Sequence, residues 1–275
     1  MSQLNIDKQF FNQNGYVLIK HVFTKEEIQK IRDDVYSQFQ TDQQKGLTFE
    51  LPHLKTKAKY SKGDLLSKEK LYSVLTDDRM LEIARTILEN NDIVYFGDSS
   101  YQIGNGLRGF HRDNIDRQNL NGPDWQGEYP LIRMGLYLQD HKDYSGGLKV
   151  KKGTHLNADG KPVFIDSEIG DVAVWSLKTI HSGNAVRLKL FPNITINRIE
   201  KHIPAFLKKD QQQERVSLFM TYALESPHMD RYINEYTLKR EDTIEHAKKS
   251  IRDNSIQEYM KQKSVKLVDP LAGKN

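Results

Sequence analysis

Apolar residues recur with different periods along the chain, and the changes of period divide it into three zones. In residues 1–90 they recur every three or four positions, which predicts helices around one short strand, Tyr16–Ile19. The clearest helix begins at Thr24, whose hydroxyl can cap the first turn while Glu27 reaches back to the backbone. We expect its apolar face to pack on a sheet; this face consists of Ile28, Ile31, Val35 and Phe39.

The second zone, residues 91–225, is rich in short apolar runs separated by glycine and asparagine. The runs predicted as strands are 93–96, 131–138, 148–150, 171–175 and 216–223. Many short strands without intervening helices predict an antiparallel sandwich or barrel. The third zone, residues 226–275, is predicted as a charged helical segment with a free tail from Asp269. We expect one domain over residues 1–275.

Composition narrows the chemistry that the chain can perform. It has no cysteine, which excludes disulfides, thiolate nucleophiles and iron–sulfur clusters, so any bound metal must use His, Asp or Glu. The net charge of +4 is mild, and we predict no nucleic-acid partner. No apolar run is long enough to span a bilayer and no signal-like segment begins the chain, so we expect a cytoplasmic protein without a membrane partner. The oligomeric state is not predicted.

A His-x-Asp string gives the candidate metal site. Residues two apart on a strand point to the same face, so an imidazole and a carboxylate can share one ion, and a distant histidine completes three ligands on one side. The string occurs three times, beginning at His111, His141 and His228. His141 lies in a predicted polar loop, and His228 precedes the charged helical segment. The first string, which ends at Asp113, has the full arrangement downstream: a strand that leads to another histidine, His181, and a further strand that begins beside Arg215.

Arg215 lies beside the start of a later strand, where a guanidinium could pair with a carboxylate at the inner end of a barrel. The residues by themselves leave three functions open. The first is an oxygenase. The second is a zinc-dependent hydrolase with the same three ligands, in which Arg215 would have no co-substrate to hold. The third is a barrel that binds a ligand without catalysis.

Further strings follow one another in an order that is typical of a known family. They are Gly15-Tyr-Val-Leu-Ile19 with Phe23-Thr-Lys-Glu-Glu-Ile28, Gly146-Gly-Leu-Lys-Val150 with Gly153-Thr-His155, and Gly170-Asp-Val-Ala-Val-Trp175 leading to His181-Ser-Gly-Asn184. On these strings, residues 8–224 resemble the phytanoyl-CoA dioxygenase family. The resemblance implies a mostly β fold with flanking helices, whose core is a double-stranded β-helix of the jelly-roll, cupin-like type.

The resemblance also implies the cofactors and the roles of the residues. His111, Asp113 and His181 would hold Fe(II), and Arg215, assisted by Gln102, would bind the co-substrate 2-oxoglutarate. Dioxygen would then be used to hydroxylate a small-molecule substrate. The aspartate favours hydroxylation, because related halogenases have a small residue at that position.

Two further expectations concern the arginine and the substrate. The family arginine follows the distal histidine more closely than Arg215 does, so residues 185–214 would be an insertion, and Arg187 and Arg198 are rival candidates. Tyr137 and Trp175 are more typical of a core than of a site. We expect polar loops at the mouth of the barrel, formed by residues 114–125 and by much of the insertion. Their polarity favours a sugar, amino or acyl derivative as substrate.

Overall fold

The computed structural model describes residues 4–50, 58–106, 109–196, 199–210 and 213–272. The amino-terminal flank consists of α1 (Lys8–Asn14), β1 (Tyr16–Ile19), α2 (Lys25–Gln44), α3 (Tyr72–Leu75) and α4 (Asp78–Leu88). The predicted cap of α2 is confirmed: Glu27 N–H donates to the Thr24 hydroxyl, and Thr24 N–H donates to the Glu27 carboxylate. The predicted apolar face is confirmed as well, since Ile28, Ile31 and Val35 are buried in the main core.

The large sheet lies behind these helices. Its strands run in the order β1-β9-β6-β11-β5-β3-β2, with β4 also paired to β11. The strands not yet given are β2 (Thr48–Glu50), β3 (Lys59–Ser61), β4 (Ile93–Tyr95), β5 (Ser99–Ile103), β6 (Leu131–Tyr137), β9 (Val172–Ser176) and β11 (Val216–Ala223). These pairings are antiparallel. The predicted strands within residues 93–96, 131–138, 171–175 and 216–223 are therefore confirmed.

A small antiparallel sheet covers the other face of the large one. It runs in the order β10-β7-β8, with β7 at Lys149–Lys151, β8 at Pro162–Phe164 and β10 at His181–Ser182. Between the sheets lies a second apolar cluster, which includes Tyr137, Val150 and Trp175. Two facing antiparallel sheets with helices outside form a jelly-roll core, so the predicted fold class is confirmed, although the sheets do not close into a barrel.

The carboxy-terminal segment is helical, as predicted, but a strand that was not predicted follows its last helix. It contains α5 (Pro227–Tyr232), a π-helical turn (Ile233–Thr237), α6 (Glu241–Lys248) and α7 (Asn254–Gln262). The chain then returns to the large sheet as β12 (Val265–Leu267), which pairs with β4 in parallel. No helix among the described residues is both long and apolar enough to cross a membrane. The division into flank, core and insertion stays a prediction.

Candidate metal centre

Backbone pairing brings the two predicted histidine ligands face to face. His111 N–H donates to the His181 carbonyl and His181 N–H donates to the His111 carbonyl, both at 2.9 Å, although His111 lies outside the regular strands. Asp113 N–H donates to Leu177 O at 3.0 Å. One candidate ligand atom from each of His111, Asp113 and His181 lies within 4.8 Å of the other two. The structure therefore brings together the three residues that the sequence singled out.

Hydrogen bonds orient both imidazole rings toward this point. Nδ1 of His111 lies 3.0 Å from Gly109 O, and Nδ1 of His181 lies 3.0 Å from Thr179 O. A carbonyl oxygen only accepts, so each Nδ1 carries the proton and each Nε2 keeps its lone pair. The Nε2 atoms lie 3.6 Å and 3.4 Å from the carboxylate oxygens of Asp113. Two imidazole lone pairs and a carboxylate match the donor set of a 2-His-1-carboxylate metal site.

The electrostatic environment keeps Asp113 and His181 in the protonation states that bind a metal. Burial by itself raises the pKa of Asp113, but Arg133, 2.7 Å from its Oδ2 atom, together with His181, His111 and Arg117 outweighs burial and lowers the pKa to about 2. Burial lowers the pKa of His181 to about 4. Near neutral pH the carboxylate is therefore charged and His181 is neutral, as ligands must be.

Sequence reasoning missed Arg133. This partly buried residue of β6 donates to Asp113, Asp98 and Thr221, with N–O distances of 2.7, 2.5 and 3.1 Å. The sequence could have pointed to it, because Arg133 interrupts the otherwise apolar strand Leu131–Tyr137, and a charged residue in a central strand needs a partner of opposite charge.

A cavity of about 230 Å³ opens at the triad. His111, His181, Arg133, Gln102 and Arg215 all contribute to its wall. Arg215 is buried; its Nε donates to Gly146 O at 2.9 Å and its Nη1 to Gln102 Oε1 at 3.2 Å. Among the described residues no carboxylate forms an ion pair with it. A buried guanidinium of this kind is suited to an incoming carboxylate.

The rival arginines differ from Arg215. Arg187 pairs with the Asp166 carboxylate, packs on the Phe164 ring and does not line the cavity. Arg198 lies outside the described residues. Of the three candidates, Arg215 is the one that the structure places at the cavity.

Several other expectations need correction. Tyr137 and Trp175 are buried as predicted, but they also line the cavity, and the Trp175 ring centroid lies 5.3 Å from that of His181. Residues 114–125, expected to overhang the mouth, do not line it. They are tied instead to α5, where Arg231 donates to Asp116 and Asp124, each at 2.9 Å.

The other two His-x-Asp strings do not form metal sites among the described residues. Nε2 of His141 lies 2.8 Å from Gln139 Nε2, while Asp143 faces Lys209. His228 Nδ1 lies 3.9 Å from Asp124 rather than near Asp230.

Comparison with known proteins places this geometry in context. A family model described as phytanoyl-CoA dioxygenase (PhyH) matches residues 11–187. No curated protein sequence matches the chain significantly.

Solved structures of several non-haem enzymes are similar. The alpha-ketoglutarate-dependent epimerase SnoN from nogalamycin biosynthesis has a TM-score of 0.57 at 13% identity, over 78% of this chain and 79% of that one. The carbocyclase SnoK from the same biosynthesis has a TM-score of 0.55 at 13% identity, over 82% and 89%. HygX from Streptomyces hygroscopicus, with nickel, 2-oxoglutarate and hygromycin B bound, has a TM-score of 0.54 at 14% identity, over 79% and 86%.

At these identities the structures establish a shared fold. The family model covers well over half of the chain, and its range, residues 11–187, contains the sequence strings on which the resemblance is based. This chain therefore belongs to the phytanoyl-CoA dioxygenase family.

Proposed function

We propose that this protein is an Fe(II)- and 2-oxoglutarate-dependent dioxygenase that hydroxylates a small polar or conjugated metabolite, such as a sugar, amino or acyl derivative. One observation carries the proposal. Two histidines and an aspartate converge at one end of a cavity whose wall also holds a buried arginine without a carboxylate partner among the described residues.

The triad would hold the metal. His111 and His181 present Nε2 lone pairs, and Asp113 stays ionised, so the three residues would serve as protein ligands of Fe(II). When bound, the iron supplies the open positions at which 2-oxoglutarate and dioxygen react. Carbon dioxide leaves 2-oxoglutarate, one oxygen atom of dioxygen enters succinate, and the other enters the new hydroxyl group.

Arg215 would select and position the co-substrate. Gly146 O and Gln102 Oε1 hold the guanidinium in place and neutralise none of its charge. Burial excludes water, which strengthens its attraction for a carboxylate. Arg215 would therefore bind the far carboxylate of 2-oxoglutarate, and Gln102 would align the arginine and add a hydrogen bond.

Polar groups in the cavity wall support a polar substrate. Asp98, Ser100 and Asn184 line the cavity together with Arg133. Groups of this kind disfavour a bare hydrocarbon, because it would exclude water from them without offering any hydrogen bond in exchange. An aspartate in the triad leaves no position for a halide ligand, which favours hydroxylation over halogen transfer.

The test is anaerobic reconstitution of the metal-free protein with Fe(II) and 2-oxoglutarate. We expect a weak visible absorption band, followed in air by release of succinate. Asp113→Ala should abolish both, whereas Asp143→Ala, which removes the aspartate of a string away from the cavity, should retain both. Turnover that zinc supports and iron does not would indicate a hydrolase instead. Ligand binding that His111→Ala leaves unchanged would indicate a barrel without catalysis.

A further inference from the structure

Residues 185–214 display apolar side chains that the sequence analysis overlooked when it described much of this segment as polar. Of eleven large hydrophobic residues that are exposed in the described chain, six lie between positions 190 and 207. Their exposed fractions run from 40% for Leu207 to 80% for Leu190. We call this set the apolar patch; it consists of Leu190, Phe191, Ile194, Ile199, Phe206 and Leu207. Proteins that remain free in solution rarely concentrate exposed apolar residues in this way.

The backbone on both sides of the patch is hydrogen-bonded to the loop before β7, since Gly146 N–H donates to Ala185 O at 2.8 Å and Ser145 N–H donates to Lys209 O at 2.9 Å. Lys189 N–H donates to Leu207 O at 3.0 Å and Lys209 N–H donates to Arg187 O at 2.8 Å, so the two ends of the segment run side by side. This pairing sets Leu188 opposite Lys208 and Lys189 opposite Leu207, so the residues on either side of Leu190 and Leu207 belong to one paired stretch.

Glu200 fixes the middle of the segment to the small sheet. Its carboxylate accepts from Lys149 Nζ at 2.8 Å and from Val186 N–H at 2.5 Å, and both Lys149 and Glu200 are buried. The apolar side chains are therefore presented on an anchored framework.

The segment is also basic. Residues 185–214 contain six lysines and arginines and three acidic residues, a net charge of +3 out of +4 for the whole chain. Glu200 is buried against Lys149, so it adds no negative charge to the surface. Lys189 is exposed, Lys208 is partly exposed beside Leu207, and the partly exposed Lys209 faces Asp143 at 3.6 Å. The patch thus has cationic neighbours, which pair poorly with another cationic surface and well with an anionic one.

We propose that the apolar patch docks this protein on an anionic lipid surface. Protruding aliphatic and aromatic side chains insert between lipid headgroups, while adjacent lysines attract the negative charge of the membrane, and the two effects add. The absence of a spanning helix in the described chain is no obstacle, since surface docking needs none.

Protein partners fit the patch less well. A second copy docked through the same patch would place two segments of net charge +3 face to face. An acidic protein would need pockets shaped for side chains that protrude by more than half of their surface, such as Phe191, Ile194 and Phe206. A bilayer interface needs no such matching pockets.

The proposal itself does not depend on the proposed function, because adsorption to lipid needs neither metal nor turnover.

Vesicle co-sedimentation of the full chain tests the proposal. We expect the protein to sediment with vesicles of phosphatidylcholine and phosphatidylserine at low salt, to bind phosphatidylcholine vesicles less, and to be released by salt. The triple variant Leu190→Ser/Phe191→Ser/Phe206→Ser should lower the partition coefficient at least roughly tenfold, because three apolar side chains lose their burial in lipid. Lys189→Glu should lower it at least roughly fivefold.

A matched control and a second measurement keep the outcomes distinct. Leu156→Ser/Ile251→Ser replaces residues that are 64% and 50% exposed outside the patch, and it should bind like the unaltered protein. Circular dichroism should show that every variant is folded. The proposal is overturned if the unaltered chain does not sediment with the anionic vesicles, or if the triple variant binds equally well. If vesicles are not bound and light scattering shows a dimer that the triple variant abolishes, the patch serves a second copy instead.

Discussion

At the scale of single residues, the partners of Asp113 determine how it can bind a metal. Arg133 occupies Oδ2 at 2.7 Å and is itself held by Asp98. This contact fixes the orientation of the carboxylate that would bind the ion. Arg133→Met should therefore weaken Co(II) or Fe(II) binding by roughly tenfold to hundredfold, measured by competition with a chelating indicator.

Two further variants separate positioning from folding. Arg133→Lys should recover part of the affinity, because it keeps the charge with fewer contacts. Thr221→Val removes a hydroxyl that touches Arg133 and Asp98 but leaves the Arg133–Asp113 pair intact, so we expect a small effect. Equal affinity in Arg133→Met and the unaltered protein would contradict this role.

The assignment of Arg215, rather than Arg187, to the co-substrate gives a second prediction for single residues. If Arg215 binds 2-oxoglutarate, Arg215→Met should raise the KM for the co-substrate by at least about tenfold, since a charged hydrogen bond contributes about 1.5–3 kcal/mol. Arg187→Met serves as the matched control, because that guanidinium is paired with Asp166. Steady-state succinate release measures both variants. An equal rise of KM in both would remove Arg215 from the assigned role.

At the scale of elements, the middle residue of the His-x-Asp string ties the ligand segment to its neighbours. His111 and Asp113 face the cavity region, whereas Arg112 donates to five backbone carbonyls on the opposite side. The acceptors belong to Lys178, Arg117, Thr154, Asn157 and Ala158. Arg112→Met removes the donor from all five carbonyls, of which those of Lys178 and Thr154 lie in buried contacts, so it should lower the free energy of unfolding of the metal-free protein by roughly 3 kcal/mol.

Urea unfolding of the metal-free protein measures that loss. Arg117→Met, which replaces a nearby arginine whose backbone carbonyl remains available, is the control and should change stability little. A loss below about 1 kcal/mol in Arg112→Met would mean that the loops hold together without the guanidinium.

These elements also show how far the sequence could predict the fold. Strands such as Leu131–Tyr137 and Val216–Ala223 are long and mostly apolar because both of their faces are covered, so the sequence pattern predicted them. Thr48–Glu50, Lys59–Ser61 and Val265–Leu267 are short, and the first two are largely polar. Such strands are defined by pairing with distant partners, which no local pattern encodes.

In the candidate site, too, local spacing was predictable from the sequence and contacts between distant residues were not. The triad was visible because the spacing of His111 and Asp113 places both side chains on one face of an extended segment. Arg133 and Arg112 were not identified, because their acceptors come from parts of the chain that only folding brings near.

At the scale of the whole molecule, buried histidines make stability depend on pH. Burial lowers the pKa of four of them, His141, His155, His181 and His246, and that of His141 falls to about 3. In the unfolded chain a histidine titrates near 6.5. Below that pH the unfolded state takes up protons that the folded state does not bind. The stabilisation is thus complete above about pH 6.5 and declines as the pH falls toward the folded-state values.

His141 allows this dependence to be measured without altering the triad. Its ring packs edge-on against Tyr137 at 5.1 Å, and it should account for about 2 kcal/mol of the stability that the metal-free protein loses between pH 7 and pH 5. Urea unfolding at both pH values should show a smaller pH dependence for His141→Gln, whatever the variant's absolute stability. His21→Gln replaces an exposed histidine and should leave the loss unchanged. If His141→Gln loses as much stability as the unaltered chain, His141 takes up its proton in the folded state, and its burial does not set the acid sensitivity of the molecule.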